Sequence, residues 1–368
     1  MITVKAPGKL YIAGEYAVVE AGHPAVLITV DQFIQVNAKI VKDSGMIKSS
    51  QSPHQIIQWH NQNHQIHFTQ QSAAFSYVMM AMRITEAYLG ELNLPTHQYQ
   101  LSIDSDLDSH DGHKYGLGSS AAVSVAIVKA IFKLYQLPLD TLTIFKLAAI
   151  AHLKVQGNGS LGDVAASAYQ GWIAYQSFDR NWLFDQLQTH SIKDVIEQSW
   201  PGLKVERLTP PNNLKLMIGW TGSPASTASL VGTVAGKKAN QTNFYQSFLA
   251  QSKACVNQMI IAFHHQDTAG IQHQIKVNRQ LLNQLGHSMG IPIETPRLKQ
   301  MSDIVIQHGG VAKTSGAGGG DCGIALIDDH VDDRAIVNDW HDHQINKLNF
   351  KISNHEQEEP NDQPSFSS

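Results

Sequence analysis

The chain has 368 residues, 42% of them apolar and 16% charged, with a formal net charge of −4. That is enough chain for two packed domains and too apolar for wholesale disorder, and without a basic surplus nothing points to nucleic-acid or membrane binding. An acidic protein that holds anions must concentrate positive potential locally, so lysines beside glycine-rich turns become informative.

In chain order, Met1 to Pro7 lacks the charged start and apolar run of a signal peptide, and no stretch approaches the ~18 apolar residues of a membrane span. The cytoplasm is therefore the expected compartment. Residues 1–45 read as strands: Ile34, Val36, Ala38 and Ile40 alternate with Gln35, Asn37 and Lys39, as in a half-buried strand. Ser72 to Leu89 has helical spacing through Phe75, Val78, Met79 and Met82, and Gln100 to Ile103 is a short strand. After a polar loop and a glycine-rich segment, Ala121 to Tyr135 is apolar enough for a mostly buried helix. Leu142 to Val155 and Leu161 to Tyr169 read as two more helices. Beyond Trp182 to Trp200, Leu214 to Trp220 is a strand, and Asn243–His264, Thr268–Leu285 and Pro296–Gln307 are helical. Cys322 to Leu326 is a further strand. Strands and helices come in blocks, which predicts an α+β architecture. The expected division is an N-terminal domain over 1–190, a C-terminal domain over 191–352 and a disordered tail over 353–368, rich in Glu, Gln, Pro and Ser. The two cysteines, Cys255 and Cys322, match no disulfide or zinc spacing. His60, His64 and His67 are spaced so that a metal cluster is imaginable, but no carboxylate or cysteine accompanies them, and a solvated hairpin is the expectation.

The central motif is Lys114-Tyr115-Gly116-Leu117-Gly118-Ser119-Ser120-Ala121. Glycines let backbone amides approach an anion closely, and the following helix offers unpaired N–H groups and the positive end of its dipole. The segment is not a Walker loop, since the G-K-[ST] ending is absent. It formally matches the dinucleotide fingerprint G-x-G-x-x-A, but the hydrophobic strand that fingerprint requires is missing before it. Taken alone, the motif fits either a phosphate cradle or a plain glycine turn capping a helix. Two other segments favour the cradle. One is Lys5-Ala6-Pro7-Gly8-Lys9-Leu10-Tyr11-Ile12-Ala13-Gly14-Glu15-Tyr16; the other is Ser315-Gly316-Ala317-Gly318-Gly319-Gly320-Asp321-Cys322-Gly323, whose glycine density beside a strand implies an ordered turn with close backbone approach.

In this order and spacing the three segments resemble the GHMP kinases (galactokinase, homoserine kinase, mevalonate kinase, phosphomevalonate kinase), from Met1 to about Phe350. Within that family the chain is most similar to the bacterial phosphomevalonate kinase branch, through Gly8 to Ala17, Gly157 to Ala165, Tyr175 to Arg180 and Gly219 to Thr227. The resemblance implies an N-terminal domain like ribosomal protein S5 domain 2, a ferredoxin-like C-terminal domain, and an active site between them. It further implies ATP and Mg²⁺ as cofactors and phosphomevalonate as acceptor. Lys114, Gly116, Leu117, Gly118, Ser119, Ser120 and Ala121 would bind ATP. Lys9 and Asp163 would be catalytic, and Ser120 and Asp163 would hold the metal. Lys9, Tyr16, Ser160, Arg180, Ser226, Ser315, Gly316 and Ala317 would line the acceptor site, although Asp179 and Arg180 could equally form a structural ion pair at a turn. One departure stands out: mevalonate kinases carry a metal-binding Glu eleven residues before the active-site aspartate, and here that position is His152. Another GHMP kinase acting on an alcohol, mevalonate or homoserine, is the near alternative, and a non-catalytic nucleotide-binding regulator on the same fold is the more distant one.

Overall fold

The structure, a computed structural model, describes residues 1–107, 115–222, 227–237 and 242–353. Lys114, Ser226 and the tail from 354 lie outside the described residues.

The first half combines strands β1 (Ile2–Ala13), β2 (Pro24–Val41), β3 (Gly45–Ser49), β4 (Ile57–Gln62), β5 (Gln65–Phe68), β6 (Gln98–Ser105), β7 (Trp172–Gln176) and β8 (Lys204–Leu208) with helices α1 (Ser76–Glu91), α2 (Ser119–Leu134), α3 (Thr141–Gln156), α4 (Gly162–Tyr169), α5 (Arg180–Thr189) and α6 (Ile192–Glu197). These strands form one sheet in the order β5-β4-β3-β6-β2-β7-β8, with β1 paired to β2. The second half comprises β9 (Lys215–Trp220), α7 (Thr227–Lys237), α8 (Thr242–His264), α9 (Thr268–Met289), α10 (Pro296–Gln307), β10 (Val311–Thr314), β11 (Cys322–Ile327), α11 (Asp333–Asp342) and β12 (Asn346–Leu348), with a four-stranded sheet ordered β10-β11-β9-β12. The architecture is α+β, as the block pattern predicts.

The alternation in β2 works as expected: Ile34, Val36 and Ala38 are buried. The seam with β1 places Val4 opposite Val36 and Ala6 opposite Ile34. Helix α2 is buried along most of its length, packed between β1, β2, α1, α3 and α4. Burying its Val, Ile and Phe side chains contributes roughly 1.5–3 kcal/mol each and anchors the turn in front of it.

Two boundaries differ from expectation. Strand β8 pairs with β7, and α8 packs against β2, so the first sheet's unit extends beyond residue 190. At the other end the chain returns to the first sheet. The Asp31 amide donates to Lys351 O (2.9 Å), the Ser353 amide donates to Thr29 O (3.0 Å), and Thr29 Oγ1 donates to Ser353 O (3.0 Å). Ser353, expected in the tail, is fully buried. Composition misses both points because pairing partners far away in sequence decide them.

The hairpin β4–β5 carries the histidines. His60 and His67 face each other across the strands with stacked, exposed rings. His64 instead turns inward, its ring nitrogens 2.9 Å from Glu86 Oε2 and 2.8 Å from Leu94 O. Among the described residues no group of three or more His, Cys, Asp or Glu is placed to hold a metal, and no helix is long and apolar enough to cross a membrane.

Candidate active site

Strand β1 delivers the first motif. Its pairing with β2 shifts register between Pro7 and Gly8 and again between Tyr11 and Ala13. Proline has no N–H for the ladder, so an irregularity here is expected. Gly8 cannot be replaced cheaply, since a Cβ would stand 2.8 Å from Leu107 Cδ2 and 2.9 Å from Leu117 Cβ. This close approach brings the central loop onto the strand, where Lys9 N donates to Leu117 O at 2.8 Å.

The Lys9 side chain, 9% exposed, reaches across the same gap and donates from Nζ to Gly116 O at 2.9 Å. Burial lowers its pKa, and the nearby carboxylates of Asp163 and Asp321 oppose that shift. Gly116 takes φ of +76°, and a Cβ on it would lie 2.5 Å from Asp321 Oδ2. Glycine therefore lets the third motif press against the second.

Helices α3, α5, α6, α9, α10 and α11 each begin with a side chain accepting from a first-turn amide. Helices α2 and α4 instead each start after a residue in the left-handed conformation, Gly118 and Leu161, that itself offers no side-chain cap; in α4 the Gly162 amide donates to Ser160 Oγ (3.3 Å) and the Val164 amide to Asp163 Oδ1 (3.0 Å). Their first turns line one cleft, with Ser119 and Ser120 from α2 and Asp163 from α4. Uncapped amides and the positive dipole end of a 16-residue helix suit a phosphate group.

The cleft has a volume of about 420 Å³. Lys9, Gly116, Leu117, Gly118, Ser119, Ser120, Tyr16, Ser160, Asp163, Ser315, Gly316 and Ala317 all line it. Ala121 is buried behind it in α2. Arg180 is absent from the lining and bonds through Nη1 to Gly159 O at the rim. Asp179 does not pair with Arg180; its carboxylate caps α5 through the amides of Asn181 (2.9 Å) and Trp182 (3.1 Å). Lys114 and Ser226 lie outside the described residues.

The first and third motifs are bonded together by side chains. Ser315 Oγ accepts from Tyr11 N and donates to Tyr11 O, both at 2.9 Å. Tyr16, at φ of +62°, donates its hydroxyl to Ala317 O at 2.5 Å. Beneath them lies an ion pair that motif reading missed: Lys313 Nζ is 2.5 Å from Glu15 Oε1, with side chains 0% and 2% exposed. The two residues are 298 positions apart, and only the charge of two residues beside glycine-rich turns hinted at them. Tyr11 was also missed; its hydroxyl lies 3.0 Å from Ser160 Oγ, and burial, then the Asp163 carboxylate, raise its pKa.

The wall nearest the central loop is completed by Tyr77 from α1 and by His152 and Gln156 from α3. His152 is 1% exposed, and burial lowers its pKa against the opposing pull of Asp163. Burial thus holds the His152 imidazole toward its neutral form at the edge of the cleft that Lys9 also lines. Mg²⁺ keeps much of its water and takes phosphate oxygens plus one or two protein ligands. Ser120 and Asp163 fit that sparse donor set.

Family models match the chain at two places: GHMP kinases N terminal domain over residues 76–171 and GHMP kinases C terminal over 259–346. The chain is 39% identical to the phosphomevalonate kinase of Streptomyces sp. (strain CL190) over 333 residues, 88% of this chain and 89% of that protein. The crystal structure of a Lin0012 protein from Listeria innocua superposes with a TM-score of 0.90 at 36% identity, covering 96% of this chain and 98% of that one. Streptococcus pneumoniae phosphomevalonate kinase in complex with phosphomevalonate and AMPPNP superposes with a TM-score of 0.83 at 31% identity, covering 96% and 100%. With this fold, these three motifs around one cleft and these matches, the chain belongs to the GHMP kinase family.

Proposed function

We propose that the chain transfers the γ-phosphoryl group of ATP to (R)-5-phosphomevalonate, giving 5-diphosphomevalonate and ADP. The observation that carries this reading is the charge balance of the cleft. Lys9 and His152 both line a cleft that already carries the carboxylates of Glu15, Asp163 and Asp321; the imidazole at position 152, held toward its neutral form, adds no further negative charge where another carboxylate would have repelled an anionic acceptor. The similarity to the Streptomyces and pneumococcal phosphomevalonate kinases supports the same acceptor.

A phosphomonoester has a second pKa near ~6 and is largely dianionic at neutral pH. Its oxygen attacks the γ-phosphorus as the bond to the β,γ-bridging oxygen breaks, and ADP leaves with that electron pair. No proton need be removed, so the barrier lies in bringing two anions together in line. The open first turn of α2 receives the ATP phosphates, and Lys9 offsets charge on the transferring group. Asp163 keeps Lys9 charged and oriented, and with Ser120 it holds Mg²⁺. Bound Mg²⁺ supplies charge neutralisation at the β- and γ-phosphates. Tyr16, Ser315, Gly316 and Ala317 shape the acceptor's place.

An alcohol acceptor is the second reading, favoured by Asp163 on the first turn of α4 near Lys9, where it could serve as a base. ADP release measured with 5-phosphomevalonate, mevalonate or homoserine separates the two. The expected result is at least ~10³-fold higher kcat/KM for 5-phosphomevalonate, because charged groups that lose their partner discriminate strongly. Comparable turnover of mevalonate, or none of phosphomevalonate, overturns the proposal.

A further inference from the structure

Ser120 is approached from two helices other than its own. His152 of α3 brings Nε2 to 3.4 Å from Ser120 Oγ. Tyr77, in the first turn of α1, sets its ring 4.8 Å from the His152 ring at 35°. Its hydroxyl donates to Gln156 Oε1 at 3.4 Å. All four residues line the cleft.

Packing alone does not account for this group. His152 Nδ1 is buried without a hydrogen-bond partner, and an unpaired ring nitrogen in the interior is disfavoured over an apolar side chain of similar size. A hydroxyl has one proton and two lone pairs. The imidazole restricts the rotation of Ser120 Oγ, and the Tyr77 ring packed on it holds the imidazole in place. Its remaining lone-pair direction is left to the cleft, in front of the uncapped turn of α2.

We propose that Tyr77 and His152 are positioning residues, which clamp the Ser120 hydroxyl in the orientation that receives the metal of a metal–nucleotide complex. The inference rests on the reading of Ser120 as a Mg²⁺ ligand. It adds two residues that act on the metal through Ser120.

Calorimetric titration with a non-hydrolysable ATP analogue, with and without Mg²⁺, tests it. Removing a partner that orients a metal ligand typically weakens metal affinity about 10–100-fold. His152→Leu and Tyr77→Ala are expected to weaken binding of the Mg²⁺ complex by about that factor, with affinity for the metal-free analogue within about twofold of wild type. His152→Gln, which keeps a side-chain hydrogen bond toward Ser120, is expected to recover most of the loss. Tyr77→Phe keeps the ring against His152 and removes only the bond to Gln156, which guards against a folding defect in the larger truncations; a loss smaller than that of Tyr77→Ala, again confined to the Mg²⁺ complex, is expected. Equal weakening with and without Mg²⁺ would reveal a packing role and overturn the proposal, as would no weakening. Ser120→Ala separates the two levels. If it leaves Mg²⁺ dependence unchanged, the metal reading of Ser120 falls and the clamp falls with it. If Ser120→Ala loses that dependence while the His152 and Tyr77 variants keep it, only the clamp is wrong.

Discussion

The two walls of the cleft are built differently. On the wall proposed to hold the nucleotide, Gly116 to Ser120 contribute mainly backbone: positive-φ glycines, a left-handed Gly118 and an uncapped helix start. On the wall proposed for the acceptor, the first and third motifs are tied by side chains, through Ser315 to Tyr11, Tyr16 to Ala317 and Lys313 to Glu15. Amides can grip the phosphates common to every nucleotide, so that wall needs room more than particular side chains. An acceptor must be distinguished from near relatives, so that wall needs fixed side chains and carries buried charge to fix them. The contrast predicts that mutations on one wall move mainly one substrate's KM.

The largest effect should come from the buried pair. Removing one partner of such a pair typically costs about 3–5 kcal/mol, because the other charge is left in the interior. Lys313→Met leaves Glu15 in that position, and Glu15 Oε2 already lacks a hydrogen-bond partner. Chemical denaturation should show a stability loss of that size, with much of it restored in the Glu15→Gln, Lys313→Met double variant. Among molecules still folded, KM for the acceptor should rise more than KM for ATP. The opposite pattern would break the comparison of the two walls.

Lys9 belongs to both walls, so it should not follow the rule. It extends from β1 into the cleft and bonds the Gly116 carbonyl. Loss of one donor to developing charge typically lowers kcat by 10²–10³. Lys9→Met should show that drop in steady-state turnover while thermal melting confirms a folded protein. Near-normal turnover would make Lys9 a structural tie between strand and loop.

The walls were also unequally legible. Gly116 to Ser120 could be read because glycine spacing and a following apolar helix are local signals. Lys9 and Asp163 came with the motifs that hold them. The bonds across the acceptor wall were invisible: Glu15 and Lys313 are neighbours only because β1 and β10 both end at the cleft. Arg180 was attractive for its charge beside a motif, yet its guanidinium supports the Gly159 carbonyl. His64 looked like one of three solvated histidines, and its bond to Glu86 needed α1 to be in place. Composition signals that a residue can carry charge or chelate; the fold decides what it meets.

Gly116→Ala probes the nucleotide wall alone. The added methyl occupies a backbone at φ of +76° and would sit 2.5 Å from Asp321 Oδ2. The left-handed conformation costs an L residue roughly 1–2 kcal/mol, and the carboxylate must also move. Affinity for a non-hydrolysable ATP analogue should fall about 10-fold or more, with acceptor binding changed much less. Equal losses for both would mean that Asp321 couples the two walls.

The smallest effect isolates one bond of the acceptor wall. Tyr16 belongs to a buried apolar cluster that also holds Leu282, Leu285 and Ala317, and its hydroxyl donates to Ala317 O at 2.5 Å. Tyr16→Phe keeps the ring and the cluster and removes only the donor. A hydrogen bond of this kind contributes about 0.5–1.5 kcal/mol net. The turn of Gly316 and Ala317 would lose one anchor while Ser315 still holds Tyr11 from both sides. KM for the acceptor should therefore rise by about 2–10-fold, with kcat and KM for ATP near wild type in initial-rate measurements. If KM for ATP rises instead, Tyr16 transmits to the nucleotide wall and the division between the two is less complete than the bonding pattern implies.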